Sequence, residues 1–140
     1  MRPETTGSGF PAKEKLKSRK AIQHLFEHGS SMVQPPFKLV YLFNIPEVDL
    51  APLVKFSVSV PKKNNPKAHQ RNRIKRKTRE VYRLQKSPLL DTCHSKNISL
   101  EMMWIYMGKE EIEYTVLFAS ASRIIQKLII QAEKKLSAGL

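Results

Sequence analysis

The segment Ala68-His69-Gln70-Arg71-Asn72-Arg73-Ile74-Lys75-Arg76-Lys77-Thr78-Arg79-Glu80 contains neither Gly nor Pro and continues in the same style to Lys86. Placed at 100° per residue, Ile74, Thr78, Val81 and Gln85 fall on one side, with Leu84 at its margin. Opposite them lie Asn72, Arg76, Arg79 and Arg83, flanked by Lys75 and Arg73. The spacing predicts a helix over about 68–86 with a thin buried stripe and a heavily basic outer face.

Working upstream, Val54-Lys55-Phe56-Ser57-Val58-Ser59-Val60 alternates as a half-buried strand does. Phe37, Leu39, Tyr41 and Phe43 alternate with Lys38, Val40 and Leu42, giving a strand with one strongly apolar and one mixed face. The short connection over 44–52 suggests that these two strands pair antiparallel. Pro35-Pro36 ends a shorter extended piece at 31–34. Before it, Ser18 caps a helix reaching Glu27 or His28, with Ile22, Leu25 and Phe26 on one face and Gly29 as a left-handed stop. Residues 1–12 read as a flexible basic tail, and 13–137 as one domain. Downstream, 87–97 reads as a polar, proline-bearing loop, 99–107 as a strand, and about 114–135 as an amphipathic helix with Leu117, Ala121, Ile124, Ile125, Leu128 and Ile129 inward. The fold class is α+β, a two-layer sandwich in the order α-β-β-β-α-β-α with about four strands in a mixed sheet.

Charge narrows the function. The 140 residues hold 25 Lys and Arg against 12 Asp and Glu, a formal net charge of +13. Eleven of those cations and one acid, Glu80, lie between Lys62 and Lys86, so that segment alone carries +10. A weaker cluster runs from Lys13 to Lys20. Such a field calls for a polyanion. No stretch approaches the roughly 18 apolar residues of a bilayer span, and MRPETTGSGFPAKEK lacks the apolar core of a secretory signal. With one cysteine, Cys93, the chain reads as a reduced, cytoplasmic protein with no membrane partner. Cys93 reads as a lone loop thiol.

A helix face carrying Asn72, Arg76, Arg79 and Arg83 offers a guanidinium about every turn, and the planar Arg fork suits phosphate oxygens. Asn72 can fix a base edge or a 2′-hydroxyl. Lys62 and Lys63 extend the surface. A merely solvated helix would interleave acids at i±4, and here only Glu80 does so.

Lys62-Lys63-Asn64 followed by Ala68-x-x-Arg71-Asn72-Arg73-Ile74-Lys75-Arg76-x-x-Arg79-Glu80 resembles, without a gap, the signature of the bacterial ribonuclease P protein subunit. Leu16 to Gly29 is similar to that family's first helix, and the element order is the family's too. The resemblance implies a small basic partner of a large catalytic RNA, the pair removing the 5′ leader of precursor tRNA, with Mg²⁺ held mainly by the RNA and one protein per RNA. It implies that Lys62, Lys63, Arg71, Asn72, Arg73, Lys75, Arg76, Arg79 and Arg83 contact RNA. The leader would lie in a cleft drawing on Ile22, Phe26, Lys38, Val40 and Leu42, with Phe26 equally suited to core or platform. It also implies a left-handed β-α-β crossover at the basic helix, against the general rule. Two positions depart from the pattern: Ile22 stands where many members have Phe, and Ser57 where many have Gly.

Other chemistry is thin. His24 and His28 are spaced i, i+4, yet no third ligand lies nearby in sequence; no catalytic or metal-ligating residue is assigned. Two further readings stay open: a ribosomal or RNA-chaperone binding module, and a stand-alone ribonuclease using His24, His28 or His69.

Overall fold

The structure, a computed structural model, describes residues 12–137. The tail expected at 1–12 therefore lies, but for Ala12, outside the described residues. A 3-10 turn (Ala12–Glu14) leads into α1 (Arg19–His28), β1 (Ser30–Gln34), β2 (Phe37–Asn44), β3 (Val54–Ser59), α2 (Ala68–Gln85), α3 (Ser87–Lys96), β4 (Ser99–Tyr106) and α4 (Tyr114–Ser137). The expected order is present with one helix added.

That helix is α3, where the sequence suggested a loop. Pro88 sits in its first turn, where a missing N–H costs no hydrogen bond. Asn97 ends it in the left-handed region at φ 56°, while the Ile98 amide donates to the Cys93 carbonyl. Cys93 is consequently buried on a helix and not exposed in a loop, and burial pushes its thiol up to about 11.

The four strands form one sheet in the order β1-β2-β4-β3. The antiparallel pairing expected between β2 and β3 does not form. Instead β4 enters between them, antiparallel to β2 (Leu39 opposite Trp104) and parallel to β3 (Phe56 opposite Met102). The physical reason is burial. A strand flanked on both sides and covered on both faces must be apolar on both, and β4 buries Leu100, Met102, Trp104 and Tyr106 on one face and Met103 on the other.

The face bearing Phe37, Leu39, Tyr41 and Phe43 packs with Phe56 and the β4 aromatics against α2, α3 and α4, making the main core and the expected two layers. α1 lies on the opposite face. There Leu25 meets Val40 and Met103, with Leu16 beside them. Ser18 caps α1 by accepting from the Ala21 amide. Gly29 is not the left-handed stop expected: its φ is −79°, ordinary backbone. Glycine is needed there for space, because a Cβ would come within 2.6 Å of the Leu25 carbonyl and 2.8 Å of that of Tyr41.

The roll of α2 is set by aromatic packing. Tyr82 stacks on Phe56 at 4.2 Å, and Trp104 meets both rings edge-on. The buried stripe is thus Ile74, Thr78, Val81 and Tyr82, with Leu84 exposed. At the start of α2, buried Asn65 donates to the Gly108 carbonyl at 2.8 Å and accepts from Gln70 at 2.9 Å. Glu111, in the same β4–α4 loop as Gly108, receives Arg73 at 2.8 Å and also Lys77. Those two cations hold the Glu111 carboxyl down to about 2, well below the usual range.

Two outcomes follow. Cys93→Ser places a hydroxyl where a thiol is buried and should cost about 1–3 kcal/mol of stability, read from urea unfolding; an unchanged midpoint would return Cys93 to the surface. Glu111 is depressed in the folded state, so its contribution is complete above the unfolded carboxyl value and fades as pH falls from about 4.5 towards 2. The urea midpoint of Glu111→Gln should lie below wild type at pH 7, and the gap should close through that window. A gap independent of pH would assign the loss to packing.

Candidate nucleic-acid interface

The basic residues of the 62–86 segment divide by what they touch. Arg71 donates to the Asn65 and Pro66 carbonyls, closing the turn that precedes α2. Arg73 and Lys77 share Glu111. Arg83 pairs with Glu80 at 2.9 Å, one turn back. Lys86, only 3% exposed, meets Glu14 at 2.7 Å. Two acids from distant parts of the sequence, Glu111 and Glu14, and one a turn away, Glu80, thus fix four of these cations.

The rest face outward. Lys62, Lys63 and Lys67 are exposed in the connection before α2, and Arg76 and Arg79 along the helix, with Lys75 half-buried. None of these six charged side chains has a hydrogen-bond or ion-pair partner among the described residues. Asn72 is exposed beside them. The wheel placed Arg76, Arg79 and Asn72 correctly; it could not distinguish Arg73, whose acid partner is 38 residues away.

Arg76, Arg79, Glu80 and Arg83 form one wall of an open groove of about 560 Å³. Its floor is Phe56, Ser57 and Val58 of β3, and its other wall is Lys15, Leu16 and Lys17. The weaker N-terminal cluster is therefore continuous with the main one through Lys15 and Lys17. Leu16 donates its amide to the Phe56 carbonyl at 3.0 Å, and Lys15 bridges to Phe56 in parallel, so this strap runs along the outer edge of β3. Ser57 lies in this floor.

The five cleft residues do not share one environment. Val40 is buried beneath α1, with Ile22 and Leu42 packed against the same small cluster. Lys38 is exposed, and Phe26 is 49% exposed, which removes it from the core. The open surface on this side is therefore Phe26 and Lys38, with Ile22 and Leu42 part-covered between α1 and β2. His24 and His28 are exposed on α1 with ring centroids 4.5 Å apart.

Residues 10–128 match the family model described as Ribonuclease P. The ribonuclease P protein component of Porphyromonas gingivalis is 31% identical over 123 residues, covering 88% of this chain and 85% of that protein. That of Chlorobium phaeobacteroides is 32% identical over 123 residues, covering 82% and 84%. Among solved structures, the Staphylococcus aureus RNase P protein superposes with a TM-score of 0.62 at 19% identity, over 81% of this chain and 93% of that one. The Thermotoga maritima RNase P protein does so at 0.58 and 20%, over 81% and 96%. The structural likenesses carry the fold, and the family model and the curated relatives carry the rest: this chain belongs to the Ribonuclease P family.

Proposed function

We propose that the chain is the protein component of a ribonuclease P, binding the catalytic RNA and the 5′ leader of precursor tRNA and assisting endonucleolytic removal of that leader. The observation that carries this is the division of the basic segment. Arg71, Arg73, Lys77 and Lys86 are held by protein groups and shape the surface. Lys62, Lys63, Lys75, Arg76 and Arg79, with Asn72, remain to meet phosphates, and Arg83, held by Glu80, lines the groove beside them. Arg71 and Arg73 each keep N–H groups beyond those bonds and sit at the same helix end, so they join the RNA-facing set in this reading. Phe26, Lys38, Ile22 and Leu42 offer the leader an aromatic face, a cation and apolar floor, a combination suited to single-stranded RNA.

The bond-breaking step is assigned to the RNA, one protein serving one RNA. His24 and His28 lie side by side on α1 and His69 on α2, across the sheet from them, so His69 has neither of these histidines beside it. Among the described residues no group of three or more His, Cys, Asp or Glu is placed to hold a metal ion. In this reading magnesium is held mainly by the RNA. No helix among the described residues is long and apolar enough to cross a membrane, and the cytoplasm is the compartment that suits this task.

Reconstitution tests the reading. With ribonuclease P RNA at low Mg²⁺, the protein should promote precursor-tRNA cleavage that neither component achieves alone. RNA-free cleavage abolished by His69→Ala would move the chemistry onto the protein, and RNA binding without promoted cleavage would favour a chaperone-type module.

Single substitutions test the interface. Arg76→Ala should flatten the dependence of log affinity on log salt by about 0.7 to 0.9 with little change in stability. Ile74→Ala should cost about 2–4 kcal/mol of stability while leaving that slope alone. The opposite pattern, measured by urea unfolding and filter binding, would mean that α2 is rolled differently.

A further inference from the structure

Lys86 is the buried ammonium of the molecule's described part, and its partner Glu14 lies 72 residues away in the sequence. A buried charge pair is weak support for stability, because desolvation offsets most of the attraction. Its geometric consequence is larger. Glu14 ends the 3-10 turn, and the next three residues are Lys15, Leu16 and Lys17, the outer wall of the basic groove. Lys86 occupies the junction of α2 and α3, one turn beyond Arg83 in the opposite wall. The ion pair therefore ties one wall to the end of the other. Leu16 adds a backbone bond to β3 and a buried side chain, and together these fix the direction in which Lys17 leaves the strap.

Resting on the RNA-binding reading above, we propose that Glu14 and Lys86 form a latch that positions the strap, so that Lys15 and Lys17 face the same RNA backbone as Arg76 and Arg79. Glu14 then acts as a positioning residue for RNA binding although it carries the sign of charge that RNA repels.

This gives an expectation opposite to simple electrostatics. Glu14→Gln removes a carboxylate near the groove, and charge alone would make RNA bind more tightly with a steeper salt dependence. Release of the strap instead makes RNA bind more weakly with a shallower one.

The test uses the full chain and ribonuclease P RNA, with affinity measured over a series of salt concentrations. Lys17→Ala should lower the slope by about 0.7 to 0.9. Glu14→Gln should lower it by at least as much, and adding Lys17→Ala to Glu14→Gln should change it no further. Because Glu14→Gln takes the carboxylate from a buried ammonium, a second variant, Glu14→Gln with Lys86→Met, removes both charges at constant net charge and should reproduce the lowered slope in a folded protein. Glu14→Asp should restore most of the wild-type slope.

Tighter binding by Glu14→Gln, or a Lys17→Ala effect that persists undiminished in the double-charge variant, would overturn the latch. Arg76→Ala separates the two levels. If it lowers the slope while Lys17→Ala does not, the latch fails and the RNA-facing helix stands. If neither lowers it, the reading of the groove as an RNA surface fails as well.

Discussion

The contact between Tyr82, Phe56 and Trp104 governs what this molecule can present. A basic helix has no intrinsic outer face; its roll is chosen by whatever it buries. With Tyr82 stacked on Phe56 and both edged by Trp104, α2 has one orientation at which its rings are covered. A rotation of one residue, about 100°, would expose an aromatic ring and turn Arg79 or Arg83 towards the sheet. The thinness of the remaining stripe, Ile74, Thr78 and Val81, makes the aromatic contact all the more decisive.

With the roll fixed, the distribution of acids does the second part of the work. Twelve acidic residues cannot neutralise 25 cations, so their placement selects which cations become architecture. Glu111 takes Arg73 and Lys77, Glu80 takes Arg83, and Glu14 takes Lys86. Each of these bonds relieves repulsion within the segment, and those to Glu111 and Glu14 also orient the helix relative to a loop and the strap. The cations left without an acid are thereby held at defined spacing on a rigid support, and self-repulsion that remains among them is relieved by a bound polyanion.

Sequence reading reached the parts of this arrangement that depend on periodicity. The inward residues of α4, the alternation of β2 and β3 and the basic face of α2 all follow from local repeats of 3.6 or 2. It failed where the cause is non-local. Nothing between 44 and 53 says that β4 will come between β2 and β3; the two-sided burial of Met102, Met103 and Trp104 says so only once the sheet is assembled. α3 is hidden from such reading by Pro88, which suggests a break although a proline in a first helical turn is permitted. Leu84 was placed nearer the stripe than Tyr82 because a wheel weighs hydrophobicity and is blind to the ring of Phe56 waiting opposite. Arg73 and Lys86 could be separated from their neighbours only through acids 38 and 72 residues distant, and the role of Lys15 and Lys17 emerged only when the strap was seen along β3.

The parallel pairing of β3 with β4 bears on how the chain reaches this state. Val54 lies opposite Leu100, so the sheet closes only after the whole intervening segment has been looped out and folded back. That segment holds most of the protein's excess positive charge. Loop closure already carries an entropic cost that grows slowly with length, and proteins dominated by such distant pairings fold slowly. Here the loop is also swollen by its own charge until Glu111 and Glu14, which lie beyond its two ends, reach it. The acids that shape the finished surface thus stand at the two borders of the charged loop, where they favour its compaction during folding, and ionic strength becomes a variable of assembly as well as of binding.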